Sequence, residues 1–372
     1  MENIGKKRVV WVVVTNDLVT DQRVNKVSLT LQKVGFEPRL LGIMSRKNTS
    51  IQRGYPVHRM KMLFHKSFFF YAEYNIRLFF KLLFSKFDVV LANDTDTLVG
   101  AYLAARFRRK PIVFDAHELF PEVPELVGRP FVKRIWELIE QLIIPRIKYG
   151  YTVCQPIADI YREKFNIEMG VVRNAPMLTL MPHLDEKPYD FGGKKMILYQ
   201  GAVNVGRGIE WVIDAMPYLD NVVYCIAGSG DVFEEIEAKI ERMNLQDRVI
   251  LLGRIPMEEL YRYTVSADLG LCLLENRGLN YYYSLPNRIF DFALAGVPIL
   301  ATDFPEIRNV VESYHLGALT SSSEPVDLAR EIMKILNESE HLIRKNDIFA
   351  QQREQLSWEN EEKVIFDLFN KL

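Results

Sequence analysis

Short apolar runs of strand length recur along this chain, and most of them end in a polar cluster. VVWVVV at 9–14 leads into Thr15, Asn16 and Asp17, and FDVVLA at 87–92 leads into Asn93, Asp94, Thr95 and Asp96. Pro111 to Phe114 leads into Asp115, Ala116, His117 and Glu118. An uninterrupted apolar run of this length suits a strand buried on both faces, which is the setting of a parallel sheet. Helical stretches lie between the runs, from about Asp21 to Lys33, over 97–107 and over about 131–148. Further strands are expected at Arg39–Ile43, Val57–Met62 and Tyr151–Cys154, and Val171 to Asn174 closes this half. The alternation predicts an open parallel α/β sheet whose ligand crevice lies at the strand C-termini, where the polar residues gather.

Residues 175–195 break this rhythm with three prolines and two glycines, the composition of an interdomain linker. The alternation then restarts. Strands are expected at Met196–Gln200, Val222–Ala227, 249–252 and 268–273, and helices at 231–243, 257–265, about 325–336 and 358–371. The predicted division is a first Rossmann-like domain over 1–180, a linker over 181–195 and a second over 196–356. Two domains are also the natural expectation for 372 residues.

Charge divides along the same line. Residues 1–180 carry 28 Lys and Arg against 17 Asp and Glu, and residues 181–372 carry 19 against 31, so halves of +11 and −12 make up the net −1. A basic half suggests an anionic partner: a membrane surface, a lipid pyrophosphate or nucleic acid. No recognition motif supports nucleic acid. Residues 60–87 are rich in aromatics with scattered Lys and Arg, and Phe68, Phe69, Phe70 and Tyr71 stand in a row. The stretch reads either as an interfacial amphipathic helix or as a core helix with its charges outward. No apolar stretch reaches the ~18 residues of a spanning helix. The run after MENIGKKR is short and lacks a small-residue cleavage site, so it reads as a first strand rather than a leader. Cys154, Cys225 and Cys272 lie in apolar runs without metal-ligand spacing, which argues against zinc and for a reducing, cytoplasmic setting.

Tyr281 to Asp303, YYYSLPNRIFDFALAGVPILATD, reads as loop, short helix, tight turn and buried strand. Pro286 suits the first helical turn, Gly296 the residue past the helix end, and Pro298 stops the helix. A helix start offers free N–H groups and a positive dipole end. Asn287 and Asp291 share a helix face, and Arg288 lies beside them. Anion site, cation and carboxylate together suit a nucleoside diphosphate. The plainer alternative is a packing helix with a surface pair between Arg288 and Asp291.

The order of these motifs resembles the retaining glycosyltransferases of the GT-B fold, family 4 in particular. YQGAVNVGRGIEWVIDAM resembles the family's phosphate-binding loop and following helix, and IAGSGD its next glycine turn. RVILLGRIPMEELYRYTVSADLGLCLL resembles the stretch that runs to the donor base, and SLPNRIFDFALAGVPILATD the signature helix. LSWEN resembles the start of the C-terminal helix, which in this fold crosses back to the first domain, here as 357–372. DAHELFPE resembles the segment that brings a histidine to the active site, and NDLVTDQRVNK the first loop of one subgroup. The sequence departs from the pattern in three places. Tyr283 stands where the signature's first acid is usual, Ala202 stands where the phosphate loop has Arg, and the first loop lacks Gly-Gly. Glu275 is a candidate to stand in for the missing acid.

The resemblance implies two Rossmann-like domains facing a central cleft and a transferase acting on a nucleotide sugar, UDP- or GDP-linked, as substrate, with no other cofactor and no metal. It implies Arg207, Arg288 and the amides of Leu285 and Asn287 at the diphosphate, Asp291 at the ribose, and Gly201, Gly228, Gly230, Gly253 and Ser284 around the donor. His117 would lie near the transferred sugar, with Asp21, Arg23 and Glu118 on the acceptor side. The acceptor would be a glycan or a lipid-linked glycan, met at the cytoplasmic face of the membrane. Two rivals are a nucleotide-sugar 2-epimerase or hydrolase on the same fold and a non-catalytic nucleotide-sugar-binding subunit. A Rossmann dehydrogenase is disfavoured because no G-x-G-x-x-G opens the first helix.

Overall fold

The computed structural model describes residues 7–19, 21–45, 50–123, 126, 128–180, 187–338 and 349–372. Residues 1–6, with Lys6 of the basic start, and residues 181–186 of the expected linker lie outside them. The chain divides into two compact units, Met1–Asn174 with Glu361–Leu372, and Ala175–Asn360.

The first unit runs β1 (Arg8–Val13), α1 (Gln22–Lys33), β2 (Phe36–Ile43), β3 (Val57–Met60), α2 (Ser67–Leu83), β4 (Val89–Asn93) and α3 (Leu98–Arg108). It continues with β5 (Ile112–Ala116), α4 (Pro130–Ile143), β6 (Tyr149–Thr152), α5 (Gln155–Phe165) and β7 (Met169–Val171). Among the described residues these strands form one seven-stranded parallel sheet in the order β3-β2-β1-β4-β5-β6-β7. The order reverses beside β1, which makes the crevice at the ends of β1 and β4 the natural ligand position. Val9 to Val13 of β1 and all of β4 and β5 are buried, as their apolar runs predict. Asp21 caps α1 by accepting from Val24 N–H at 2.9 Å. Only Ser67–Leu83 of the aromatic stretch is helical, and α2 seats Phe70, Tyr74, Leu78 and Leu82 on the sheet at intervals of four. Tyr74 Oη fixes it by donating to Val14 O at 2.6 Å.

The second unit runs β8 (Lys195–Gln200), α6 (Ile209–Ala215), β9 (Val222–Ala227), α7 (Phe233–Arg242), β10 (Val249–Gly253), α8 (Met257–Ser266) and β11 (Leu269–Cys272). Then come α9 (Leu279–Tyr282), α10 (Asn287–Ala295), β12 (Ile299–Thr302), α11 (Pro305–Ser313), β13 (Gly317–Thr320), α12 (Pro325–Glu338) and α13 (Phe349–Gln355). Its strands, again among the described residues, give a six-stranded parallel sheet ordered β10-β9-β8-β11-β12-β13, the doubly wound order with its switch between β8 and β11. The described part of the expected linker packs within this unit. Tyr189 stacks on Tyr263 with centroids 4.1 Å apart, and Lys187 pairs with Asp268 at 2.9 Å.

The final helix, α14 (Trp358–Phe369), starts in the second unit and continues in the first. Trp358 N–H donates to Pro176 O at 2.8 Å. Beyond it, Glu361 pairs with Arg173 at 2.5 Å, Glu362 with Lys33 at 2.7 Å, and Phe369 meets the Phe36 ring edge-on at 5.5 Å.

Candidate functional site

In the second unit the ends of β8 and β9 form a pair of glycine turns. Gly228 has φ +154, and a β-carbon there would lie 1.8 Å from Gly201 O. One at Gly230 would lie 2.2 Å from Asn204 Oδ1. Only glycine permits this approach, and it leaves bare main chain at the switch point of the sheet. Gly253, at the end of β10, accepts from Gly228 N–H at 2.8 Å and so supports the turn from behind.

Arg288, in the first turn of α10, reaches this turn from below. It is 6% exposed, its guanidinium lies 4.6 Å over the Tyr199 ring, and Nη1 donates to Gln200 O at 3.4 Å. Its Nε and Nη2 have no hydrogen-bond partner. Burial sets aside the surface pair with Asp291 considered above. Arg207, on the loop after β8, lies 4.9 Å over the Tyr281 ring and also has a buried Nε without a partner. The two cations come together at the end of β11: burial raises the Cys272 thiol pKa, and Arg288 and Arg207 both pull against that rise. Buried guanidinium donors without acceptors are costly, so the arrangement is poised for an anion.

Asp291, one turn along α10, accepts from Gln200 Nε2 at 2.8 Å, and Gln200 Oε1 lies 2.8 Å from Thr264 Oγ1. This relay orients the carboxylate. Pro286 is the N-cap of α10, and Asn287 begins the helix at the surface. Ser284 Oγ donates to Tyr281 O at 2.7 Å, so its hydroxyl shapes the turn, and Leu285 packs on the core. Glu275 N–H donates to Gly206 O at 3.0 Å, and its carboxylate pairs with Arg277 at 3.0 Å. Glu275 thus stands beside the Arg207 loop. Tyr283 ends α9 half-buried.

In the first unit the ends of β4 and β5 hold a charged cluster. Arg23 is buried and forks onto Asp115, Nη2 to Oδ1 at 2.7 Å and Nε to Oδ2 at 3.1 Å, while Nη1 donates to Val172 O at 2.8 Å. His117 Nδ1 lies 3.2 Å from Asp94, and Nε2 lies 3.1 Å from Asp115 and 3.2 Å from Asn93 Oδ1. Burial opposes the imidazolium, but Asp94 and Asp115 outweigh it and raise the His117 pKa to about 9. Burial also works against the Asp115 carboxylate, and Arg23 and His117 more than offset it, bringing Asp115 to about 2. Burial raises Asp94 to about 6 and Asp96 to about 7 despite a 2.5 Å hydrogen bond from Thr15. Asp94 adopts φ 58, a costly conformation for a non-glycine residue, held by its own N–H on Asp115 O at 2.9 Å and by His117 N–H on its Oδ1 at 2.8 Å.

Asp21 caps its helix and also accepts from Asn16 Nδ2 at 2.7 Å. Arg23 belongs to the buried frame that carries His117, rather than to a free acceptor-binding face. Glu118 lines a groove between α2, α3 and α4. Sequence reasoning did not single out Asn93, Asp94, Asp96 and Asp115 as one cluster, nor Gln200 and Thr264 as partners of Asp291. For all but Thr264, which lies within α8, the polar ends of apolar strands were the only signal.

Residues 183–354 match the family model described as "Glycosyl transferases group 1", and residues 22–175 match "Glycosyltransferase Family 4". A chitobiosyldiphosphodolichol beta-mannosyltransferase of Debaryomyces hansenii is 23% identical, over 95% of this chain and 86% of that protein. Further curated relatives are matched over 37% and 45% of their own lengths. Among solved structures, the sucrose-phosphate synthase of Thermosynechococcus elongatus has a TM-score of 0.78 at 16% identity, covering 98% of this chain and 99% of that one. Alr3699/HepE of Anabaena, solved with UDP-glucose, has a TM-score of 0.72 at 14% identity, covering 98% and 100%.

Proposed function

We propose that this chain, which belongs to the family 4-like glycosyltransferases of the GT-B fold, moves a hexose from a UDP- or GDP-linked donor to a lipid-linked glycan, with retention and without a metal ion. The observation that carries the reading is Arg288, a buried cation with two open donors beside a bare glycine turn. The diphosphate lies against that turn, with Arg288, Arg207 and the helix-start amides of α10 taking up the charge that develops as the sugar–phosphate bond breaks. Asp291, oriented by Gln200, accepts from the ribose hydroxyls. The acceptor hydroxyl attacks the anomeric carbon on the leaving-group face, and its proton passes to the departing phosphate. Asp94, held in place by His117, presents the hydrogen-bonding edge for sugar or acceptor hydroxyls. Both ring nitrogens of His117 are already engaged, so its part is to hold charge and geometry. The mannosyltransferase name of the Debaryomyces relative favours a lipid-linked acceptor. No helix among the described residues is long and apolar enough to cross a membrane. The basic first half, with Phe68 and Phe69 exposed, favours work at the cytoplasmic membrane surface.

Thermal unfolding with a panel of nucleoside diphosphates and nucleotide sugars, with and without chelator, tests the reading. A ligand at 100 times its Kd adds about 2.7 kcal/mol. A chelator-insensitive shift with one base is expected, and no shift with any donor overturns the proposal. Tyr283 and Ala202, at positions where an acid and an arginine are usual, favour a second reading as a non-catalytic nucleotide-sugar binder. Donor binding without turnover on any lipid-linked or soluble acceptor would support it.

A further inference from the structure

Helix α2 has two apolar faces. One is seated on the sheet. The other exposes Phe68, Ile76 and Phe80, 65%, 59% and 51% accessible, where an ordinary surface helix is polar. Opposite stand Leu103 of α3 and Phe131 of α4, 42% and 77% accessible. Between the three helices runs a groove of about 1120 Å³, somewhat larger than the usual small-molecule pocket. Trp136 forms part of its wall, held edge-on by Tyr71 and Phe120 at 5.0 Å each.

The lining is apolar except at a few points, and two of these lead to the charged cluster. Glu118 follows His117 in the chain, and Asn75 donates to Asp96 O at 2.7 Å. Arg129, exposed at the start of α4, places a cation on the lining. A groove with an apolar length, a cation and a polar end beside the strand-end cluster matches an amphiphile with one hydrocarbon chain and an anionic head. A flat membrane surface needs no such depth, and an apolar partner helix would leave the Arg129 cation without an anion.

We infer that this groove holds the hydrocarbon chain of a long-chain alkyl or isoprenoid phosphate that carries the acceptor sugar, with Arg129 meeting its phosphate. The inference rests on the transferase reading above for the sugar, but not for the chain. It is tested on the full-length protein with monomeric 10,11-dibromoundecyl phosphate, whose bromines quench tryptophan at contact. Saturable quenching is expected, lost in Trp136→Phe and not displaced by inorganic phosphate. Ile76→Glu and Phe131→Glu alter exposed side chains and should keep the native melting temperature while weakening binding about tenfold or more. Quenching that does not saturate, or that survives in Trp136→Phe, overturns the proposal. So does association with phosphatidylglycerol vesicles in the absence of any binding of the monomer. Donor stabilisation without alkyl-phosphate binding removes the groove and leaves the transferase. Alkyl-phosphate binding without donor stabilisation does the reverse.

Discussion

Replacing Arg288 with methionine separates a binding role from a structural one. The side chain has nearly the same volume but ends short of the guanidinium, so the packing of the stem is largely kept while the charge and its stack on Tyr199 go. In the free protein Arg288 is 6% exposed with Nε and Nη2 unpartnered. Removing a buried charge in favour of an apolar group of like volume is often worth about 1–4 kcal/mol of stability, against which the lost cation–π stack costs about 0.5–2 kcal/mol. The net for the ligand-free protein thus runs from about 1 kcal/mol lost to about 3.5 gained. The bound state tells otherwise. Two charge-assisted hydrogen bonds, at about 1.5–3 kcal/mol each, are forgone, or about 3–6 kcal/mol in all. At about 1.4 kcal/mol per decade the variant should bind nucleoside diphosphate two to four orders of magnitude more weakly. Urea unfolding without ligand and calorimetric titration with UDP and GDP measure the two quantities. A variant that loses more than about 3 kcal/mol of intrinsic stability while keeping its diphosphate affinity would refute the reasoning, because Arg288 would then be holding the fold together.

Other consequences concern the first unit's charged cluster and the glycine turns. The folded pKa of His117 is raised above its unfolded value of about 6.5, so its contribution is complete below that pH and is lost as pH climbs through about 9. Urea unfolding from pH 6 to 9 should show wild-type stability falling on the order of 3 kcal/mol relative to His117→Gln, which lacks that titration; parallel profiles would contradict it. Arg23→Met leaves Asp115 buried with His117 as its remaining charged partner and should cost about 3 kcal/mol, partly restored by adding Asp115→Asn, as denaturant midpoints will show. Gly228→Ala places a methyl 1.8 Å from Gly201 O and should prevent native folding of the second unit. Gly253→Ala has open space at φ +63 and should cost only about 1–2 kcal/mol, a contrast that circular dichroism melts resolve.

The strands were legible because a strand buried on both faces in a parallel sheet has no polar alternation to obscure it. VVYCIA at 222–227 was expected and is found over the same residues. Where a turn residue lay inside the run, the reading slipped. The strand expected at Tyr151–Cys154 lies at Tyr149–Thr152, because Cys154 caps α5, a helix hidden by Pro156 at its start. Helix α11 and β13 went unread beyond Asp303, since Pro305 reads as a breaker although it opens the helix. The glycines, Arg207, Arg288, Asp291 and His117 could be named because each sits at a strand end or helix start with its motif around it. Their partners could not. Arg23 and Asp115 are 92 residues apart, and Gln200 and Asp291 are 91, and no local pattern carries a pairing at that distance.

The path of α14 sets the order in which the molecule can be completed. Lys33, Phe36 and Arg173 find Glu362, Phe369 and Glu361 as partners, and those residues leave the ribosome only after all of Ala175–Asn360. The unit that is synthesised first is therefore finished last. Until residues 361–372 arrive, Lys33, Phe36 and Arg173 stand without these contacts while the second unit, an uninterrupted stretch of chain, is free to fold. A chain cut before Glu361 would therefore injure the first unit rather than the second.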